Sequence, residues 1–160
     1  MEDEGFAAVV WREEGRWESG LLPHRLVVDL DGLIAGVRQQ PGEGGAIGLV
    51  DVEDEFFIAI RMRPGGDVSL LLSDVTASAD YPVARQVVDM LGIDVPTDEE
   101  LDLVVPAGDL SIFADLGLDE MELGMVLADI DAYADEQIEA IARRVGFGEV
   151  LERAVSAVHL

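Results

Sequence analysis

The sequence has no cysteine and no lysine, only two histidines, and just 6% aromatic residues. Without cysteine it can form no disulfide, hold no metal by thiolates and use no cysteine nucleophile. Long apolar runs are missing too: nothing approaches the roughly 20 residues that a membrane-spanning helix needs. The opening residues, Met1-Glu2-Asp3-Glu4, are acidic where a secretion signal is basic and then apolar, so a cytoplasmic protein is expected.

Positive charge is scarce. Ten basic residues, all arginine, face 34 acidic ones, for a net charge of −24. Between Arg85 and Arg143 there is no base at all. Such a surface repels nucleic acid and anionic lipid within a Debye length of about 8 Å, so direct nucleic-acid binding and membrane binding are not expected. Two readings of the acidity stay open: a solvated face, or a docking face for a basic partner whose encounter the charge would speed.

What is present is an aliphatic globular chain of 160 residues, enough for one domain of about 90 residues and a smaller appendage. Phe6 to Trp11 and Arg16 to Leu21 read as a hairpin turning at Gly15, with Trp11 and Trp17 as cross-strand core residues rather than a base-stacking platform. Pro23 opens a helix with Leu26, Leu30, Leu33 and Val37 on one face and Asp29 and Asp31 towards water. It must end before Pro41. Ala46 to Val52 is a continuous apolar run and so a central strand. Phe56 to Met62 and Val68 to Leu72 follow after short turns and should pair antiparallel. Asp80 and Pro82 start a second helix that stops at Gly92.

The expected fold is therefore α+β. It has a five-stranded antiparallel sheet in the order β-β-α-β-β-β-α, which resembles longin and profilin-like interaction domains, followed by a small helical region. The expected divisions are an α+β domain over 1–92, an acidic linker over 93–106 and a helical region over 107–160. In the linker, Asp98, Glu99, Glu100 and Asp102 lie between Pro96 and Pro106 and should keep the segment extended. Beyond it, Asp109 is expected to cap a short helix ending at Gly117. Asp119 and Glu122 form a capping-box pair for a helix with Met121, Met125 and Val126 apolar, and Asp135 caps the next one. A last helix carries Val150, Leu151 and Val155.

Gly42-Glu43-Gly44-Gly45 lies between a helix and a strand rather than between a strand and a helix, and has no phosphate-binding lysine. It reads as tight turn geometry or a partner contact. Asp115 to Leu123 is similar to the attachment motif of acyl carrier proteins, but Glu120 stands where the arm-bearing serine belongs. Asp129, Asp131 and Asp135 suit positions of a calcium loop, yet Ala134 and Ala140 replace the glycine and the bidentate glutamate. His24 and His159 have no metal or nucleophile spacing around them. Ser73 beside Asp74 has no histidine partner. Arg143 and Arg144 end a helix before Gly146, where they suit its dipole and could anchor an acidic group. No catalytic, metal or cofactor residue emerges, and no cofactor is expected.

Three segments carry a family resemblance: Gln39-Gln40-Pro41-Gly42-Glu43-Gly44-Gly45-Ala46-Ile47-Gly48-Leu49-Val50, Leu70-Leu71-Leu72-Ser73-Asp74-Val75-Thr76-Ala77, and Ile141-Ala142-Arg143-Arg144-Val145-Gly146-Phe147-Gly148. Spaced as they are, they resemble the bacterial tRNA adenosine deaminase-associated protein family. The resemblance implies association with the zinc deaminase that makes inosine in tRNA, and supplies no catalytic residues. The chain itself has neither the zinc ligands nor the His-x-Glu motif of a deaminase. The expectation is a non-enzymatic accessory protein that binds another protein, for which the resemblance suggests the deaminase. Its candidate contacts are Gly42, Glu43, Gly44, Asp98, Glu99, Glu100, Asp102, Arg143 and Arg144. A structural or oligomeric adaptor unrelated to the deaminase, self-associating through an edge strand, and an enzyme of unrecognised type are the alternatives.

Overall fold

The computed structural model describes residues 5–40, 45–94, 105–129 and 131–156. Strands β1 (Gly5–Glu13) and β2 (Arg16–Leu21) form the N-terminal hairpin, and Glu14 and Gly15 at its turn both have positive φ. A 3-10 turn, His24–Val28, leads to α1 (Leu30–Arg38). Then come β3 (Ala46–Val52), β4 (Phe56–Met62) and β5 (Val68–Leu72), a second 3-10 turn (Val75–Ala79) and α2 (Pro82–Leu91). The C-terminal part holds β6 (Ala107–Gly108), α3 (Glu120–Leu127), α4 (Ala134–Val145) and α5 (Gly148–Ser156).

The sheet has six strands, not five, in the order β2-β1-β3-β4-β5-β6, antiparallel throughout. The extra strand is two residues long: Gly108 and Ala107 lie opposite Leu71 and Leu72, and the Asp109 N–H donates to the Leu70 carbonyl at 3.0 Å. A strand so short has no side-chain alternation and is held by backbone bonds alone, which is why periodicity could not reveal it.

Both faces of the sheet are covered. On the first, Val9, Val50, Ile58, Ile60 and Leu72 pack against Leu33 and Val37 of α1 and Val83 and Val87 of α2. On the second, Ala8, Val10, Leu49, Phe57 and Leu71 pack against Phe113, Leu123, Ile138, Ile141 and Phe147. The helical region thus lies on the sheet. All seven residues of β3 and all seven of β4 are buried, as expected for strands with helices on either side. Burial of large side chains such as Phe57 and Phe147 contributes about 1.5–3 kcal/mol apiece.

Local chemistry corrects several helix boundaries. Asp29 is exposed as expected but stands outside the helix: it is extended and caps α1, accepting from the Gly32 N–H at 3.1 Å. The Gln86 side chain of α2 accepts from the Leu30 N–H at 2.8 Å, so α1 starts where two elements satisfy its first amides. Asp109 caps no α-helix: its carboxylate turns back to the Ser111 N–H and hydroxyl, and only a 3-10 turn, Ala114–Leu116, precedes Gly117. At the start of α4 the capping position is Tyr133, whose N–H donates to the Glu136 carboxylate, and Asp135 lies in the first turn. Trp11 and Trp17 are not cross-strand partners: Trp11 lies opposite Glu18, Trp17 opposite Arg12, and the two rings pack on opposite faces of the sheet. No described helix is long and apolar enough to cross a membrane.

Candidate functional site

The layer formed by α3, α4 and α5 carries the most distinctive surface among the described residues. Alpha-helix α3 is apolar on too many sides to bury them all. Leu123 and Leu127 enter the core, and Val126 is half-buried. Met121 and Met125, one turn apart and expected on the apolar face, remain 77% and 71% exposed. Tyr133, in the turn before α4, is exposed as well. Against this edge a hollow of about 350 Å³ opens, lined by Met125, Val126, Ala132, Glu136 and Gln137 among others.

On the other side of α4 lies a cleft of about 410 Å³ between α4 and α5. Its floor is Phe6, Ile138, Ala142, Leu151 and Val155. Its rim bears the carboxylates of Asp135, Glu139, Glu149 and Glu152, with Arg143 as the one cation among its lining residues. The helical phase explains the arrangement. Ile138 and Ala142 are four residues apart and face inward, while Asp135, Glu139 and Arg143 keep the same spacing one step outward. A 2.7 Å bond from the Ser19 hydroxyl to the Val150 carbonyl fastens α5 to β2 and fixes the far wall.

Asp135 is the described carboxyl pushed above its usual range, to about 6. Partial burial is the larger cause, followed by its hydrogen bond and charge contact with Asp54. Asp54 stands in the β3–β4 turn with φ 60°, and its own N–H donates to the Asp51 carboxylate at 2.8 Å. Its carboxylate accepts the Asp135 backbone N–H at 3.0 Å. The pair joins the sheet to the beginning of α4.

Of the candidate contacts named from sequence, Gly42, Glu43, Gly44, Asp98, Glu99, Glu100 and Asp102 lie outside the described residues. Gly45, their neighbour, has φ +87°, and a Cβ there would stand 1.9 Å from the Met62 carbonyl oxygen, so close backbone packing requires glycine. Arg143 and Arg144 do occupy the last turn of α4 before Gly146, and the structure separates their roles. Arg144 grips Glu122 of α3 through two bonds of 3.0 and 3.1 Å. This replaces the expected capping box: Asp119 accepts from the Glu122 N–H at 2.8 Å, but the Glu122 side chain is committed to Arg144. Arg143 sits 3.5 Å from Glu139 and lines the α4–α5 cleft.

Ser73 and Asp74 are structural. The buried Ser73 hydroxyl accepts from the Phe57 N–H at 2.9 Å, extending the β4–β5 ladder, and Asp74 caps the following 3-10 turn through Thr76. Sequence reasoning missed the cleft floor, because Phe6 comes from the first strand and joins α4 and α5 only in three dimensions. It also missed the exposed methionines, although five apolar residues among the eight of α3 were a readable sign that some must face outward.

Comparison with known proteins agrees with this chain's segments. Residues 5–148 match the model of a family described as Rv3753c-like tRNA adenosine deaminase-associated protein. Protein Rv3753c of Mycobacterium tuberculosis (strain ATCC 25618 / H37Rv) is 40% identical over 153 residues, which cover 95% of this chain and 88% of that protein. No solved structure matches the chain. With nearly its full length matched, the chain belongs to the Rv3753c-like tRNA adenosine deaminase-associated protein family.

Proposed function

We propose that this protein is a non-enzymatic accessory of tRNA adenosine deaminase that binds the enzyme directly through the outer face of α3, α4 and α5. The observation that carries the reading is the α4–α5 cleft, whose apolar floor is framed by four carboxylates. A cleft of that kind suits an amphipathic, basic element of a partner: apolar burial supplies affinity, and opposite charge supplies encounter rate and orientation. An enzyme that binds tRNA must itself present a basic face, and the family description names that enzyme as the associate. The exposed methionines of α3 offer a second apolar edge across α4, where flexible thioethers can adapt to a partner's contour.

The enzyme alternative gains little from Asp135. Its raised pKa follows from partial burial and from Asp54 across the sheet–helix join, which is an ordinary structural cause. Cytoplasmic placement and the lack of direct RNA binding belong to the same proposal.

The test is co-elution of the purified chain with the purified deaminase from the same organism, without RNA, at low and high salt. Salt-sensitive co-elution that is lost in a Val155→Asp variant supports docking in the cleft. Separate elution at both salts overturns direct binding. If the chain then elutes as a dimer, pairing through the outer edge of β2 and the adaptor role become the better reading.

A further inference from the structure

Three of the ten arginines of this strongly acidic chain meet in one cleft on the second face of the sheet, at the end where β1, β3 and β4 lie side by side. Arg12, Arg61 and Arg63 line it together with Trp17, Ile47 and Asp115, and its volume is about 300 Å³. Its place in the fold is fixed by register: Arg12 lies opposite Trp17 in the hairpin, and Ile47 opposite Arg61.

The three cations are not equivalent. Arg61 is buried, and both of its terminal nitrogens are engaged by Asp115, at 2.6 and 2.9 Å, with a further bond to the Ile112 carbonyl at 2.9 Å. That pair is neutral and forms part of the wall. Arg12 lies over the Trp17 ring at 4.8 Å, a contact that orients its guanidinium plane. Arg63 is held by the Ser69 hydroxyl at 2.5 Å. Among the described residues, no carboxylate forms an ion pair with Arg12 or Arg63. Arg12 and Arg63 are thus each held by a neutral group, while the charge of Arg63 also reaches Asp115 and helps to lower its carboxyl, in a molecule of net charge −24. Carboxylates more than about 8 Å away are screened at physiological salt, which weakens the repulsion that the rest of the molecule exerts on an anion in the cleft.

We infer that this cleft binds a phosphate monoester carried on a compact organic body of about the size of a nucleoside monophosphate. A phosphomonoester carries about −1.5 to −2 at neutral pH, which matches the charge of the two arginines, and guanidinium forks hold its oxygens in pairs. The volume lies at the lower end of the range for small-molecule sites. The side chains of Trp17, Ile47, Pro64 and Leu116 give the rest of the ligand an apolar seat.

Calorimetric titration of the full chain with adenosine 5′-monophosphate and with inorganic phosphate tests this. Trp17 fluorescence, read in a Trp11→Phe background, is the second signal. The inference expects saturable binding of the nucleotide, tighter than that of inorganic phosphate. Binding should weaken by about tenfold or more in Arg12→Gln and in Arg63→Gln. It should be unchanged in Arg25→Gln, whose arginine lies outside the cleft. Circular dichroism checks that each variant is folded. Absence of saturable binding at low-millimolar nucleotide overturns the inference, as does binding by the two arginine variants as tight as that of the natural chain. Equal affinity for inorganic phosphate removes the organic body from it. An acidic peptide that binds where the nucleotide does not would make the cleft a carboxylate clamp and overturn the phosphate assignment.

Discussion

Arg61 and Asp115 are joined by two N–H···O bonds, of 2.6 and 2.9 Å, that tie the end of β4 to the turn before α3. The arginine side chain is 6% exposed and the aspartate side chain 60%. The asymmetry has consequences. Removing the aspartate leaves a buried cation without its counterion, whereas removing the arginine leaves a carboxylate that water can solvate. Asp115→Ala is expected to destabilise the fold by about 1–3 kcal/mol, the cost of breaking a buried pair reduced for the exposed partner. Arg61→Met, which fills similar volume, should cost less. Urea denaturation of both variants decides, and equal costs would contradict this account.

The same pair sets an acid limb. The hydrogen bond from Arg61 is the main reason that the Asp115 carboxyl lies below its usual range. Its contribution to stability is complete above the unfolded value of 3.8 and is lost as pH falls through the lower folded value. Stability measured between pH 5 and pH 2 should therefore fall less steeply in Arg61→Met than in the natural chain.

Asp54 and Asp135 act in the opposite sense. With Asp135 raised to about 6, the folded state holds a proton that the unfolded state has released, so stability declines as pH rises from about 4 to about 6. Asp54→Asn removes the like charge and keeps an oxygen for the Asp135 N–H, and asparagine tolerates the φ of 60°. At pH 7.5 the variant should be more stable, by less than about 1 kcal/mol because Asp135 is largely solvated. The gain should vanish near pH 4. A gain that persists at pH 4 would show that the charge pair is not its source.

Gly45 and Gly65 offer a controlled comparison. A methyl group at Gly45 would stand 1.9 Å from the Met62 carbonyl oxygen at φ +87°, while at Gly65 it would meet nothing within 4 Å. Gly45→Ala should lower stability by about 2–4 kcal/mol or prevent folding, and Gly65→Ala should leave it within about 0.5 kcal/mol. Thermal melts of the two variants make the check.

Met121 and Met125 are 77% and 71% exposed, so replacing both by glutamine should leave the melting temperature almost unchanged. If the α3 edge docks the deaminase, affinity for the enzyme should fall by about tenfold in this double variant, as titration of the enzyme would read. Unaltered affinity would confine docking to the α4–α5 cleft.

Strands β3, β4 and β5 were legible because apolar runs of five to seven residues broken by glycine, proline and acidic turns leave little else for the chain to form. Alpha-helix α2 was legible from Pro82 and Gly92, which mark its first residue and its left-handed stop. The start of α1 is not legible in the sequence, because Asp29 reads equally well as a polar helix position or as a cap, and only the approach of Gln86 from α2 distinguishes the two. Strand β6 left no trace, since two residues carry no period. The arginine cleft was equally hidden: Arg12, Arg61 and Asp115 are far apart in the chain, and nothing local says that they meet.

The sequence by itself determined the acidity, the absence of cysteine chemistry, most of the regular elements and the family, because these reside in composition, in short-range periodicity and in contiguous segments. The tertiary structure decided which surfaces those elements expose. It laid the C-terminal helices on the sheet, buried Arg61 against Asp115, left Met121 and Met125 outside and brought Phe6 into the floor of a cleft made by α4 and α5. Those outcomes depend on contacts between residues remote in sequence, where the burial of one face fixes what its neighbour must leave to water.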